Sequence, residues 1–486
     1  MYYDEEETAQ EWDAGDYDGV SNNPPGEGLD PACYEPDTLC LDVTTSELKH
    51  VWIANSNDHE VVRINVDTGE VEKELTSHGQ NPSRTAVVVK DGSVWVGNRC
   101  YNNHGDPACS NVVHLDIEGN FICRGDVTGL VRAVALDADG NVWAGSWEHH
   151  KMFKFSGTEV DDSQNPPRCK KLAELDVAGC PYGAAGDNKG NMWFANNCNW
   201  ASSFSPGTQS IQVINTQTNT VGTAYVAPSN LANCFQVYGI TVDGQGRVIT
   251  GSYGCYGLFR FTPETETWEW ISTGAVGAAR GVVVDQNGYI YSAISHNGGS
   301  DQRHIVRVEP DFSAYTSLDM GGGIVHPVGT AIDHNGWLWT AGRNSDTCAR
   351  VEIANWGNNP TVETFPTKGD DPYSYSDMTG FQHLMFTNPE GKWTGTFDGG
   401  ADTVFWKLIE WEGIEEEGVT DILVRARSAA TEEALAQAGW TAYFTTSPAQ
   451  LQGLPMFQWL EVEVKLTSSD PDKTPVLTKV MVHWTK

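Results

Sequence analysis

Arg84, Arg132, Tyr182, Tyr238 and Arg280 occupy equivalent places in a phrase that recurs along this chain, and Val328 fills the same place once more. Guanidinium groups and phenols gathered around one point are equipped to receive a carboxylate or a sulfate. The alternative for these side chains is structural: semi-buried arginines that pair with local acids or carbonyls and plug a channel. Near the other end of each phrase stand Asn55, Asn98, Ser146, Asn196 and Ser252. Such small polar groups suit hydrogen bonding to a sugar and are poorly suited to acid–base work. Asn98 and Asn196 are therefore counted with the arginines and tyrosines as candidate ligand contacts.

Acid–base or metal chemistry would fall to the loop Trp147–His150, reading WEHH. Glu148 and His150 could hold a metal ion or supply a base, with Arg132 receiving an anionic substrate. Neighbouring loop side chains point in different directions, so solvated histidines are the simpler account. No G-x-S-x-G, H-E-x-x-H or P-loop phrase occurs. The run Asp137–Asn141 has the look of a calcium loop, yet equivalent phrases carry Lys189, Gln245 and Asn287 at its second acidic position. A hairpin turn fits better, and no cofactor is expected beyond calcium as an option.

What would position these groups is a repeat. DADGNVWAGS at Asp137–Ser146, DNKGNMWFAN at Asp187–Asn196 and DHNGWLWTAG at Asp333–Gly342 are its strongest copies. Aligned with them are Trp52, Trp95, Trp143, Trp193, Ile249, Tyr291 and Trp339. A period of roughly 40–50 residues with four short strands per unit marks a β-propeller. In each unit an apolar run leads into D-x-x-G, where aspartate caps the turn and glycine takes positive φ. Loops before each innermost strand and after each second strand then share one face, around a central channel.

Composition sets the class. The 486-residue chain carries a net charge of −35, which argues against nucleic acid and anionic membranes as partners. No apolar run is long enough for a membrane span. The start, Met1 followed by YYDEEETAQEWDAGDYD, lacks the basic and apolar stretches of a signal peptide, which is expected to have been removed. An extracellular or cell-surface location is expected from the eleven cysteines. Cys180 and Cys198 flank the fourth repeat as Cys234 and Cys255 flank the fifth, so each pair is expected as a disulfide. Cys100 with Cys109, Cys33 with Cys40, and Cys123 with Cys169 complete the set, leaving Cys348 unmatched.

Three regions follow. Residues 1–38 read as an acidic tail and residues 39–368 as a seven-bladed propeller. Residues 369–486 read as an antiparallel β-sandwich, jelly-roll-like, with long alternating strands such as Phe457–Thr467. No helix of useful length is expected before residue 430. Six tryptophans in the last region, among them Trp406, Trp459 and Trp484, are either core or sugar-stacking positions.

The lead-in Pro181–Gly183 or Pro327–Gly329, followed by D-x-x-G-x-x-W, resembles the streptogramin (virginiamycin B) lyase-like propellers, a group overlapping the NHL-type repeats. The resemblance covers roughly residues 45–365 and implies the propeller fold. In true lyases the lead-in supplies a catalytic histidine and the end of a second strand supplies glutamate. Here those places hold Arg, Tyr or Val, and Asn98, Ser146, Asn196 or Ser252, so the catalytic pair is not matched. The last region is similar to sandwich domains appended to secreted propellers. The expectation is an exported, disulfide-stabilised binding or structural protein, with a protein or glycan ligand. Self-assembly through the tail or the sandwich is a further expectation, and a metal-assisted lyase or hydrolase is the alternative.

Overall fold

The computed structural model describes residues 6–9, 16–18, 20–21, 33, 38–41, 48–187, 189–199, 202–297, 300–386, 390–468 and 473–486. The protein is all-β, and it divides into two compact units, Glu47–Thr387 and Met1–Ser46 with Asn388–Lys486. In the first unit the strands follow one another in groups running antiparallel from inner to outer; those from Pro82–Val87 to Arg168–Asp176 form one eight-stranded sheet, joined where Phe121–Asp126 runs parallel to Arg168–Asp176, beside four four-stranded sheets and one three-stranded sheet. The innermost strands, such as Pro82–Val87, Val131–Leu136 and Pro327–Ile332, are buried throughout, which is why they are runs of small and apolar residues. Outer strands such as Val71–Thr76 alternate between half-buried and exposed positions. Although three residue types occupy the aligned positions, Trp52, Trp95, Trp143, Ile249, Tyr291 and Trp339 are all essentially inaccessible.

The recurring D-x-x-G-x-x-W has a single physical explanation. In the last group Asp333 Oδ1 accepts the backbone N–H of Asn335 and of Trp337, both at 2.9 Å. Its other oxygen accepts Trp339 Nε1 at 2.7 Å. Asp137 with Trp143 and Asp187 with Trp193 repeat the arrangement at 3.0 and 2.9 Å. Where the aromatic changes, the carboxylate keeps its role: Asp285 takes the Tyr291 hydroxyl and Asp243 takes Arg247 Nε. In the copies led by Asp137, Asp187, Asp285 and Asp333 one carboxylate thus fixes the turn and anchors the aligned aromatic of the next strand. Asp333→Ala strands three donors, two of them in the turn, and should cost about 2 kcal/mol. Urea unfolding measures this, with Asn335→Ala as the exposed-turn comparison.

The first compact unit runs past residue 368, to Thr387. The first group, His50–Asn55, Glu60–Asn65 and Val71–Thr76, has only three strands of its own. Its missing inner edge is supplied by residues 372–378. Tyr373 N–H donates to the Ala54 carbonyl and Trp52 N–H to the Met378 carbonyl, both at 2.9 Å. On its other side the same segment meets the second group, where Tyr375 N–H donates to Ser83 O at 3.2 Å and Thr85 N–H to Tyr375 O at 3.3 Å. The segment Lys368–Asp377 therefore closes the first group, through isolated bridges at Pro372 and Tyr375. A helix absent from the sequence reading, Phe381–Phe386, follows at once. Asp377 caps it, its carboxylate accepting the N–H of Gly380 at 2.9 Å and of His383 at 2.8 Å.

Five disulfides are present: Cys33–Cys40, Cys100–Cys109, Cys123–Cys169, Cys180–Cys198 and Cys234–Cys255. Cys348 is a buried thiol, and burial pushes it up to about 12. The second unit holds two four-stranded antiparallel sheets that share one apolar cluster, including Trp393, Trp406, Trp411 and Trp484. These four tryptophans are core; Trp440 instead lies under the guanidiniums of Arg425 and Arg427, at 4.6 and 4.3 Å. The acidic N-terminal segment is not a free tail throughout. Glu6–Ala9 pairs with Val476–Thr485, Asp16–Asp18 with Glu390–Asp398, and Val20–Ser21 with Cys40–Leu41. The first two pairings extend the two four-stranded sheets, and the third is a separate two-stranded sheet. No helix among the described residues is long and apolar enough to cross a membrane.

Candidate functional site

The candidate site is built by residues at or just before the start of each innermost strand. Pro372–Tyr373 in the closing segment repeats the lead-in of Pro181–Tyr182, which adds Tyr373 to Arg84, Arg132, Tyr182, Tyr238, Arg280 and Val328. Three phenols from three parts of the chain converge. Tyr182 Oη lies 2.7 Å from Tyr238 Oη and 3.0 Å from Tyr373 Oη, and Tyr238 Oη is 3.2 Å from Tyr373 Oη. All three rings are buried, as are Arg84, Arg99, Arg132 and Arg280.

Each arginine lies over tyrosine rings. Arg84 Cζ is 4.5 Å from the Tyr375 ring, Arg99 Cζ 4.5 Å from Tyr373, Arg132 Cζ 5.4 Å from Tyr182 and Arg280 Cζ 4.7 Å from Tyr253. Arg84 donates to the carbonyls of Ser83 and Tyr182 at 2.8 and 2.9 Å, and Arg280 to Tyr375 Oη at 2.9 Å. The Nε atoms of Arg84, Arg132 and Arg280 are buried without a hydrogen-bond partner. Among the described residues, the single ion pair of the cluster is Arg343 Nε with Asp371 Oδ1 at 2.7 Å. The outer rim is more open, with Tyr101 46% exposed and the Arg343 side chain 40% exposed.

Electrostatics follow from this composition. Burial raises the Tyr373 phenol, but Arg132, Arg280, Arg99 and Arg84 outweigh it and hold that phenol well below its usual range. Burial keeps Tyr182 and Tyr238 above it. Beneath the phenols is a cavity of about 20 Å³, room for one water, lined by Arg84, Tyr182, Tyr238, Tyr375 and Gln382. Its walls are glycines because the inner strands approach each other backbone to backbone. A Cβ on Gly329 would come within 2.0 Å of the Ser374 carbonyl oxygen.

The remaining candidates have separate partners. Asn98 Nδ2 donates to Ser77 O and Asn111 Oδ1, both at 2.8 Å, and Asn196 Nδ2 to Ser210 Oγ at 3.1 Å. Both amides fasten strand ends. Glu148 Oε2 lies 3.2 Å from His104 Nε2, while His150 Nε2 lies 3.3 Å from Cys180 Sγ. His150, Cys180 and Cys198 place their ligand-type atoms within 4.8 Å of one another, but the two sulfurs are joined in a disulfide, and it is the thiolate that ligates metal. Arg132 points instead to the hydroxyls of Tyr101 and Tyr182, at 3.3 and 3.5 Å.

Sequence reasoning missed Arg99, Tyr101, Arg343, Tyr373 and Tyr375. The signal for Tyr373 was available, since PYS at Pro372–Ser374 parallels PYG at Pro181–Gly183.

No protein-family model matches the chain, and comparison with curated proteins finds no match. Solved structures similar to it include a virginiamycin B lyase from Staphylococcus aureus, at 15% identity and a TM-score of 0.46, covering 62% of this chain and 90% of that one. A streptogramin B lyase structure matches at 14% identity and a TM-score of 0.46, covering 70% and 94%. Kuenenia stuttgartiensis hydrazine synthase matches at 14% identity and a TM-score of 0.38, covering 68% and 87%.

Proposed function

We propose that this chain is an exported binding protein whose propeller receives a compact anionic group, a carboxylate or sulfate on a glycan or protein ligand. The observation that supports it most is the set of buried guanidiniums, Arg84, Arg132 and Arg280, with partnerless Nε groups and no carboxylate paired to them among the described residues. Removing such charge from water uncompensated costs several kcal/mol per group. A ligand anion offsets that cost, and the tyrosines supply donors and apolar walls around it. In a chain of net charge −35 this cluster is a local cationic well that selects an anion with some apolar body. The five disulfides fit an oxidising exterior.

The test is thermal unfolding in acetate or sulfate against chloride at matched ionic strength. An anion present at 100 times its dissociation constant stabilises the fold by about 2.7 kcal/mol. Arg132→Gln combined with Arg280→Gln should abolish the difference. Equal stability in all three salts, at any concentration, overturns the reading.

A further inference from the structure

His150 Nε2 lies 3.3 Å from Cys180 Sγ, and the ligand-type atoms of His150, Cys180 and Cys198 all fall within 4.8 Å of one another. Among the described residues no other trio of histidine, cysteine or carboxylate side chains is so gathered. His150 directly precedes the strand Lys151–Asp161, whereas Cys180 leads into Pro181–Gly186 and Cys198 follows Asn191–Asn197, so the imidazole reaches the sulfurs from the neighbouring sheet. Each backbone is fastened without help from the disulfide. The His150 carbonyl accepts the N–H of Val177, the Cys180 carbonyl that of Asn197, and Cys198 N–H donates to the Thr208 carbonyl, all at 2.9 Å.

That spacing is close to what a metal requires. A tetrahedral zinc holding two thiolates and an imidazole sets the sulfurs about 3.8 Å apart and each sulfur about 3.6 Å from the nitrogen. The nitrogen already stands at nearly this distance from Cys180 Sγ. Opening the disulfide need only part the two sulfurs by roughly 1.7 Å.

We propose that Cys180, Cys198 and His150 form a redox-gated zinc site, closed while the sulfurs are bonded and open to zinc once that bond is reduced. The proposal is independent of the anion-binding reading. A dithiol reductant opens the site: its two S–H bonds become one S–S bond, and the Cys180–Cys198 bond takes up the two electrons and two protons to give two thiols. Zinc then displaces one proton from each thiol to solvent and bonds to both sulfurs and to His150 Nε2. Three protein ligands leave the fourth position to water, and His150 is exposed, so that position faces solvent.

The other bridges differ in access or in ligands. Cys33–Cys40, Cys100–Cys109 and Cys123–Cys169 are buried at both ends, whereas Cys198 is half-buried and open to a reductant. Cys234–Cys255 is half-buried too, but no third ligand joins it among the described residues. It is the internal control.

The full chain is treated with a water-soluble phosphine until these two half-buried bridges are open, freed of reductant, and titrated with zinc, or with cobalt as an optical probe. One zinc should bind per chain with release of close to two protons, and cobalt should give the thiolate-to-metal absorption of a tetrahedral site. Zinc should protect Cys180 and Cys198 from alkylation but leave Cys234 and Cys255 reactive. His150→Ala should weaken zinc binding at least about a hundredfold, since loss of a mere outer partner of a zinc ligand costs about 10–100-fold. No zinc bound by the opened chain, equal protection of both cysteine pairs, or unchanged affinity in His150→Ala overturns the proposal. Loss of the β-sheet circular dichroism on opening the bridge overturns it as well, because the strands must hold the ligands after the bond has gone.

Discussion

Gly329→Ala should lower the stability of the propeller unit by about 3 kcal/mol, at the upper end of overpacking costs. The added carbon would sit 2.0 Å from the Ser374 carbonyl oxygen, and that oxygen belongs to backbone, which cannot rotate aside. Relief requires the closing segment to move away from the last group, and the same segment carries the hydrogen bonds to Trp52, Ala54, Ser83 and Thr85. Limited proteolysis should therefore cut first between residues 366 and 390, well below the temperature of the main transition. Gly244→Ala is the control, because a Cβ there meets nothing within 4 Å. Equal stability of the two variants would mean that the closing segment does not hold the ring.

Acidification from pH 7 to about pH 4 should remove a further few kcal/mol, through buried histidines. Burial pushes His114 and His383 down to about 4, so both are neutral in the folded protein. The unfolded chain takes up their protons near pH 6.5, and stability is lost as pH falls from there towards 4. A shift of this size is worth about 3 kcal/mol for each. Asp377 acts in the opposite sense: burial pushes its carboxyl up to about 6, so the folded protein gains the proton first and is favoured as pH falls from 6 to 4. That offsets about 3 kcal/mol of the loss. Urea unfolding at several pH values separates them. Asp377→Asn should steepen the acid loss, and His383→Gln should flatten it; unchanged pH profiles in both would show that these groups titrate alike in the folded and unfolded states.

How much of this was legible in the sequence depends on distance along the chain. The lock between Asp333 and Trp339 spans six residues, so each copy announces itself locally, and the strand order follows from repetition. Cys180 with Cys198, and Cys234 with Cys255, could be paired because the same two loops carry them in successive repeats. The closing segment was not legible in the same way. Pro372–Tyr375 lacks the aspartate-led turn after it, and its hydrogen-bond partners, Ala54 and Ser83, lie roughly three hundred residues upstream. The alternating strand Val476–Thr485 was plain, but nothing in Glu6–Ala9 says that it lies alongside. At the site, alignment of the repeats found Arg84, Arg132 and Arg280. It could not find Arg99, Arg343 or Tyr375, which reach the axis from loops and from the closing segment. Nor could it tell that Asn98 and Asn196 spend their amides on strand ends, since that depends on Ser77, Asn111 and Ser210.

A ring closed by Tyr373 and Met378 also has a birth order. The strand His50–Asn55 is among the first of the propeller to be made, and its inner neighbour is the last. At roughly 5–20 residues per second, on the order of half a minute separates the synthesis of the two. Throughout that interval the opening group has a bare inner edge of apolar strand, open to pairing with any nascent chain nearby. A helper protein that shields that edge until the closing segment emerges would raise the yield of folded protein more than any substitution at the site.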